Sequence, residues 1–226
     1  MTAIISQPEP TRPLATSSAD LGQCLVLEDI SWQQYVTISD ALPERGGLRI
    51  TFDRGRLEFK TTSLVHEKIG RWLARFLDIL AEEAELPTMG TGHMTFRRED
   101  LDRGMEPDDC FWIAHEELMR VVDQWLPERD PPPDLVLEIE VSRKNIDRLP
   151  ILAALGVREV WCFDGATIRI YVLGPNGPYQ VVERSPTFPK VDLNGLVPFF
   201  RRTETEDSLT VIRAVRAWVR ELLNAA

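Results

Sequence analysis

The chain has 226 residues and a formal net charge of −10, long enough for one domain with a sizeable core. That charge argues against a protein that coats nucleic acid non-specifically, because such binding rests on clustered Lys and Arg. No apolar run approaches the roughly 20 residues a membrane helix needs, and Cys24, Cys110 and Cys162 are scattered without zinc-ligand spacing, which fits a reducing cytoplasm.

Residues 1–25 mix Pro, Ser, Thr and Ala without periodicity and lack the basic start and apolar stretch of a signal peptide. A disordered tail is expected there, followed by a single domain over 26–226. Ser31 starts a short helix that ends near Pro43. The alternating runs 48–52 and 56–59 flank Asp53-Arg54-Gly55 and read as a hairpin. Ser63 caps a long helix to about Leu86, with Val65, Ile69, Trp72, Leu73, Phe76 and Leu80 as its apolar stripe. Strands are expected over 93–98 and 108–113, and a helix over 114–123.

The next strand, 134–142, is the most informative segment. Side chains alternate across a strand, so Leu135, Leu137, Ile139 and Val141 share one face while Glu138 and Glu140 share the other. Two like charges about 4 Å apart repel by roughly 1 kcal/mol in water and about 4 kcal/mol at a protein-like effective dielectric. Such a pair implies a cation, a shared proton or a wet face. Asp147 can cap a helix with Pro150 in its first turn and Gly156 as its C-terminal cap. With a strand over 157–163 this makes one β-α-β unit with a parallel pair. A meander over 167–173 and 179–183 follows. The last helix, 207–223, turns Leu209, Ile212, Val215, Val219 and Leu222 inward. Its stripe of Arg213, Arg216 and Arg220 reads as a solvated face pairing with acids sooner than as a phosphate track.

Asp108 opens the strand before the Glu138 strand in sequence. If the two pair side by side, Asp108, Glu138 and Glu140 converge, and hard oxygen ligands in that number suit Mg²⁺ or Mn²⁺. Solvated edge acids are the plainer alternative. Glu58 reads as an exposed strand residue sooner than as a site acid, and His93 and His115 have no evident partner.

The order of elements, with an acidic Pro107-Asp108 and a strand reading Glu138-Ile139-Glu140, resembles the PD-(D/E)xK restriction-endonuclease-like superfamily. Within it the chain is similar to the Uma-type restriction-endonuclease family. The matching segments are 56–58 with 63–67, then 104–108, 132–138 and 149–161, and the similarity runs from about residue 30 to 200. The resemblance implies an α/β restriction-endonuclease-like core: a mixed β-sheet flanked by α-helices, with a β-meander and a C-terminal helix. It implies a metal-dependent endonuclease that hydrolyses phosphodiester bonds in DNA, with Mg²⁺ or Mn²⁺ as cofactor; neither an organic cofactor nor a membrane partner is expected. Asp108 and Glu138 would hold the cation, with the Ile139 carbonyl as a further ligand.

The chain departs from the motif at Glu140, which stands where the superfamily has lysine. The resemblance gives the basic role to Arg148, with Lys144 as a second candidate, and Glu67 reads equally as a helix-borne acid assisting the metal and as an acid favoured at a helix N-terminus. Glu140 would assist the metal or the water, and Arg148 would stabilise developing charge. Arginine does not give up a proton near neutral pH. The alternative function is therefore a nuclease fold that has lost cleavage and binds nucleic acid or a protein. Uncovered sheet edges invite pairing with another chain, so a homodimer is expected.

Overall fold

The structure is a computed structural model and describes residues 22–42, 47–141 and 145–225. The expected tail lies outside the described residues up to position 21, and so does Lys144. Cys24 and Leu25, which the tail was expected to include, belong to a strand, β1 (Cys24–Leu27).

A six-stranded mixed sheet carries the site. Its strands are β4 (Met89–Gly92), β7 (Asp109–Trp112), β8 (Leu135–Ile139), β9 (Glu159–Phe163), β10 (Ile168–Leu173) and β11 (Tyr179–Val182). They run in the order β11-β10-β9-β8-β7-β4. β8 and β9 are parallel, joined through helix α4 (Leu149–Leu155), and the other pairs are antiparallel. In α4, Pro150 occupies the first turn, where a missing N–H costs little. Asp147 Oδ1 accepts from Leu149 N at 3.1 Å, and Gly156 ends the helix at φ 85°, a conformation an L side chain resists.

β8 is buried on both faces. Leu135, Leu137 and Ile139 pack with two amphipathic helices, α2 (Leu64–Glu83) and α6 (Ser208–Asn224), while Val136 joins Ile151 and Leu152 of α4. Of the three readings open for the Glu138 face, the wet one gives way, because the strand is enclosed on both sides. Ser63 Oγ accepts from His66 N and so fixes the first turn of α2, which carries His66 and Glu67.

A second, five-stranded antiparallel sheet has the order β1-β3-β2-β6-β5, with β2 (Leu48–Asp53), β3 (Arg56–Thr61), β5 (Phe96–Arg98) and β6 (Arg103–Met105). Ile50, Phe52 and Leu57 face helix α1 (Trp32–Ala41), where Tyr35 stacks on Phe52 with centroids 4.7 Å apart. Arg49, Thr51, Glu58 and Lys60 occupy the opposite face, in register as Arg49 with Lys60 and Thr51 with Glu58.

Several boundaries differ from those read in the sequence. Of the strand expected over 93–98, only Phe96–Arg98 forms one, in the five-stranded sheet, while β4 in the other sheet ends just before that span at Gly92, φ 70°. The helix expected over 114–123 is one turn, α3 (Glu116–Met119). In α6, Val211, Val215 and Val219, spaced four apart, form the buried stripe, and Leu209 falls off it and is exposed. Arg216 and Arg220 of α6 reach Glu83 of α2 at 2.6 Å, so these two arginines of the stripe pair with acids as expected. Among the described residues, no helix is long and apolar enough to cross a membrane.

Candidate active site

The register of β7 and β8 places Asp109 opposite Leu137, so one step outward Asp108 stands opposite Glu138. Alternation turns both toward the α4 side, the face of Cys110 and Val136. Asp108 Oδ2 accepts from Ile139 N at 2.8 Å, which ties the carboxylate to the end of the neighbouring strand. Both side chains are shut away from water, Asp108 at 4% exposure and Glu138 at 1%.

Cations close the space above them. Arg148, just before α4, places Nη1 2.9 Å from Glu138 Oε2, with its own side chain 1% exposed. The second sheet brings Arg49, whose Nε lies 3.7 Å from Asp108 Oδ1, and Lys60, buried on the adjacent strand position. His66 Nε2 lies 3.3 Å from Asp108 Oδ2. Burial by itself pushes the Asp108 pKa up. The hydrogen bond and charge of His66, backed by Arg148 and Lys60, outweigh it and hold the carboxyl well below the usual carboxylate range. For Arg148, burial disfavours the cation, but Glu138, Asp108 and Glu58 together raise its pKa above the ordinary value. Asp109, on the other face of β7, is pushed up to about 6, chiefly by burial.

Glu58 is a correction to the sequence reading: it is fully buried, not exposed. Its Oε2 accepts from the backbone N–H groups of Asn145 at 2.8 Å and Ile146 at 3.1 Å. It thereby holds the turn that leads into Arg148. Glu67 is half exposed and stands behind the pair, 3.7 Å from Arg49 and 3.6 Å from His66 Nδ1. Glu140 departs from the expected convergence of three acids, since its carboxylate lies 3.7 Å from Arg169 on β10. His115 has a partner after all, Asp134, with Nδ1 and Oδ1 3.0 Å apart.

A cavity of about 190 Å³ opens beside Asp108, lined also by Arg49, His66, Glu67, Arg71 and His93. Among the described residues, no group of three or more His, Cys, Asp or Glu forms a ready metal cage. Mg²⁺ asks for less, since it is commonly held by one or two carboxylates and completes its shell with water and substrate phosphate. Asp108 Oδ1 is buried without a hydrogen-bond partner among the described residues, and Glu138 stands opposite, so the donor set fits a hard divalent cation. Ile139 engages the site through its N–H.

Sequence reasoning missed Arg49, Lys60 and His66 as members of the site. The signal was present in the strand alternation, which put Arg49, Thr51, Glu58 and Lys60 on one face. Two facing layers, however, turn that face inward, and alternation alone reports only which residues share a side.

A family model described as "Uma2: Putative restriction endonuclease" matches residues 32–221. Among solved structures, the chain is similar to "a putative nuclease belonging to DUF820 from Anabaena variabilis ATCC 29413". The identity is 15% over 84% of this chain and 99% of that one, with a TM-score of 0.48. A search of curated proteins finds no match. With the family model spanning most of its length, the chain belongs to the Uma2 family of restriction-endonuclease-like proteins.

Proposed function

We propose that the chain is a divalent-metal-dependent nuclease that hydrolyses phosphodiester bonds in DNA, with Asp108 and Glu138 holding the cation. The observation that carries this reading is the pair of opposed, buried carboxylates under a shell of cations, in a family that generally uses divalent metals. Mg²⁺ or Mn²⁺, when bound, would lower the pKa of a bound water and neutralise charge on the phosphate.

The chain's own residues supply the rest. Arg49 lies against Asp108 and Arg148 against Glu138, with Lys60 buried on the adjacent strand position, so all three would offer positive charge to a phosphate bound at the cation. Arg148 stays protonated throughout, so the proton of the attacking water passes to solvent or to the substrate phosphate. His66 and Ile139 N–H fix the orientation of Asp108, and Glu67 steadies Arg49 and His66 from behind. Lys144 is a further candidate for the basic role. The three scattered cysteines fit a cytoplasmic enzyme, and uncovered sheet edges fit a homodimer, which light scattering at micromolar concentration tests.

The test is cleavage of supercoiled, linear and single-stranded DNA in Mg²⁺ or Mn²⁺, with chelation as control. Wild type is expected to cut and Asp108→Ala to be silent. Equal behaviour of the two proteins on every DNA form would refute the reading. Glu140 in place of the superfamily's lysine favours a second reading, a binding module without turnover, whose signature is salt-dependent DNA binding in the absence of cleavage.

A further inference from the structure

The site carries its own counter-charge. Glu58, Asp108 and Glu138 face Arg49, Lys60 and Arg148, every one of these side chains being at most 4% exposed. The formal charges of these six residues sum to zero before any ligand arrives. A divalent cation entering alone would leave two uncompensated positive charges in a place that water has left, and an uncompensated buried ion costs several kcal/mol. It would also compete for Glu138 with Arg148, which already sits on Oε2 at 2.9 Å. A phosphodiester changes both terms. Its negative charge offsets part of the cation's, and its paired oxygens match the planar fork of a guanidinium at least as well as a carboxylate does.

We infer that Arg148 is a built-in counter-ion that holds Glu138 until a phosphodiester draws it away, so that metal and phosphodiester bind together and each tightens the other. This rests on the nuclease reading of the site, and it makes the free protein a poor metal binder by construction. Glu58 is part of the device. It anchors the backbone ahead of Arg148 through the amides of Asn145 and Ile146, so the guanidinium can change partner while its main chain stays in place. Coupling of this kind is reciprocal, because the gain in metal affinity with phosphodiester present equals the gain in phosphodiester affinity with metal present.

The experiment is calorimetric titration of Mn²⁺ into the full chain, alone and with a short phosphorothioate oligodeoxynucleotide. Wild type is expected to bind Mn²⁺ at least about tenfold more tightly when the oligonucleotide is present, inside the usual range of coupling between sites. Arg148→Gln is expected to bind Mn²⁺ alone about tenfold more tightly than wild type does, and Asp108→Asn on that background to erase the gain. If wild type binds Mn²⁺ equally with and without the oligonucleotide, and Asp108→Asn abolishes that binding, the counter-ion device is overturned while the metal site stands. Absence of Mn²⁺ binding in every combination would overturn the metal reading itself. The paired wild-type titrations need no variant, so equal affinity with and without the oligonucleotide overturns the device even if Arg148→Gln fails to fold.

Discussion

Removing Arg148 should injure the protein through Glu138 more than through any lost packing. The two charged groups meet at 2.9 Å with both side chains 1% exposed. Unit charges about 4 Å apart attract by about 4 kcal/mol at an effective dielectric near 20, and breaking a buried pair from one side costs about 3–5 kcal/mol because the remaining charge is stranded. Asp108 and Glu58 also lean on Arg148, which pushes the cost upward, while Lys60 remains in the seam and pushes it down. Arg148→Met is therefore expected to lose about 3–4 kcal/mol in urea denaturation at neutral pH, a large share of the stability of a typical domain. Glu138→Gln alone should cost a similar amount by stranding the guanidinium. The double variant Arg148→Met/Glu138→Gln should recover much of the loss, giving a coupling energy of at least about 2 kcal/mol. Simple additivity of the two single losses, or a loss below about 1 kcal/mol for Arg148→Met, would refute the argument, since either means that the buried charges do not depend on each other.

Glu58→Ala removes the acceptor of two backbone amides and one of three acids in the seam. It should lower stability by about 2–4 kcal/mol and speed hydrogen exchange at Asn145 and Ile146, read by mass spectrometry. Gly156→Ala meets a φ of 85° and should cost about 1–2 kcal/mol, measured by thermal melting. Burial raises the pKa of Asp109 to about 6, so the folded protein binds this proton more readily than the unfolded chain. Stability contributed by this group is therefore greatest below the unfolded carboxylate pKa near 4 and falls as pH rises through about 6. Asp109→Asn should flatten that slope and stabilise the protein at neutral pH. An unchanged slope in denaturation curves between pH 4 and pH 7 would reject that cause.

The elements that depend on local chemistry were legible in the sequence. The Ser63 cap, Pro150 and Gly156 bracket their helices because caps and special backbone conformations are set within a few residues. The Asp108–Glu138 pair was legible as well, because it needs only two strands to lie side by side, and they do. Less legible was everything that depends on the approach of distant layers. Glu58 carries a charge on an alternating hairpin, which is the mark of a solvent face until a second layer covers it. His66 has an ordinary place in a capped first turn, and only the approach of β7 makes it a neighbour of Asp108. The division of 89–98 between two sheets escaped notice because Gly92, at its positive φ, looks in sequence like any turn glycine.

The charge seam also constrains how this chain can change over generations. At positions 49, 58, 60, 108, 138 and 148, each residue answers for the charge of another, so a lone substitution at any of them strands a partner. Tolerated paths would pass through paired replacements, and the six positions should vary together among descendants sooner than one at a time.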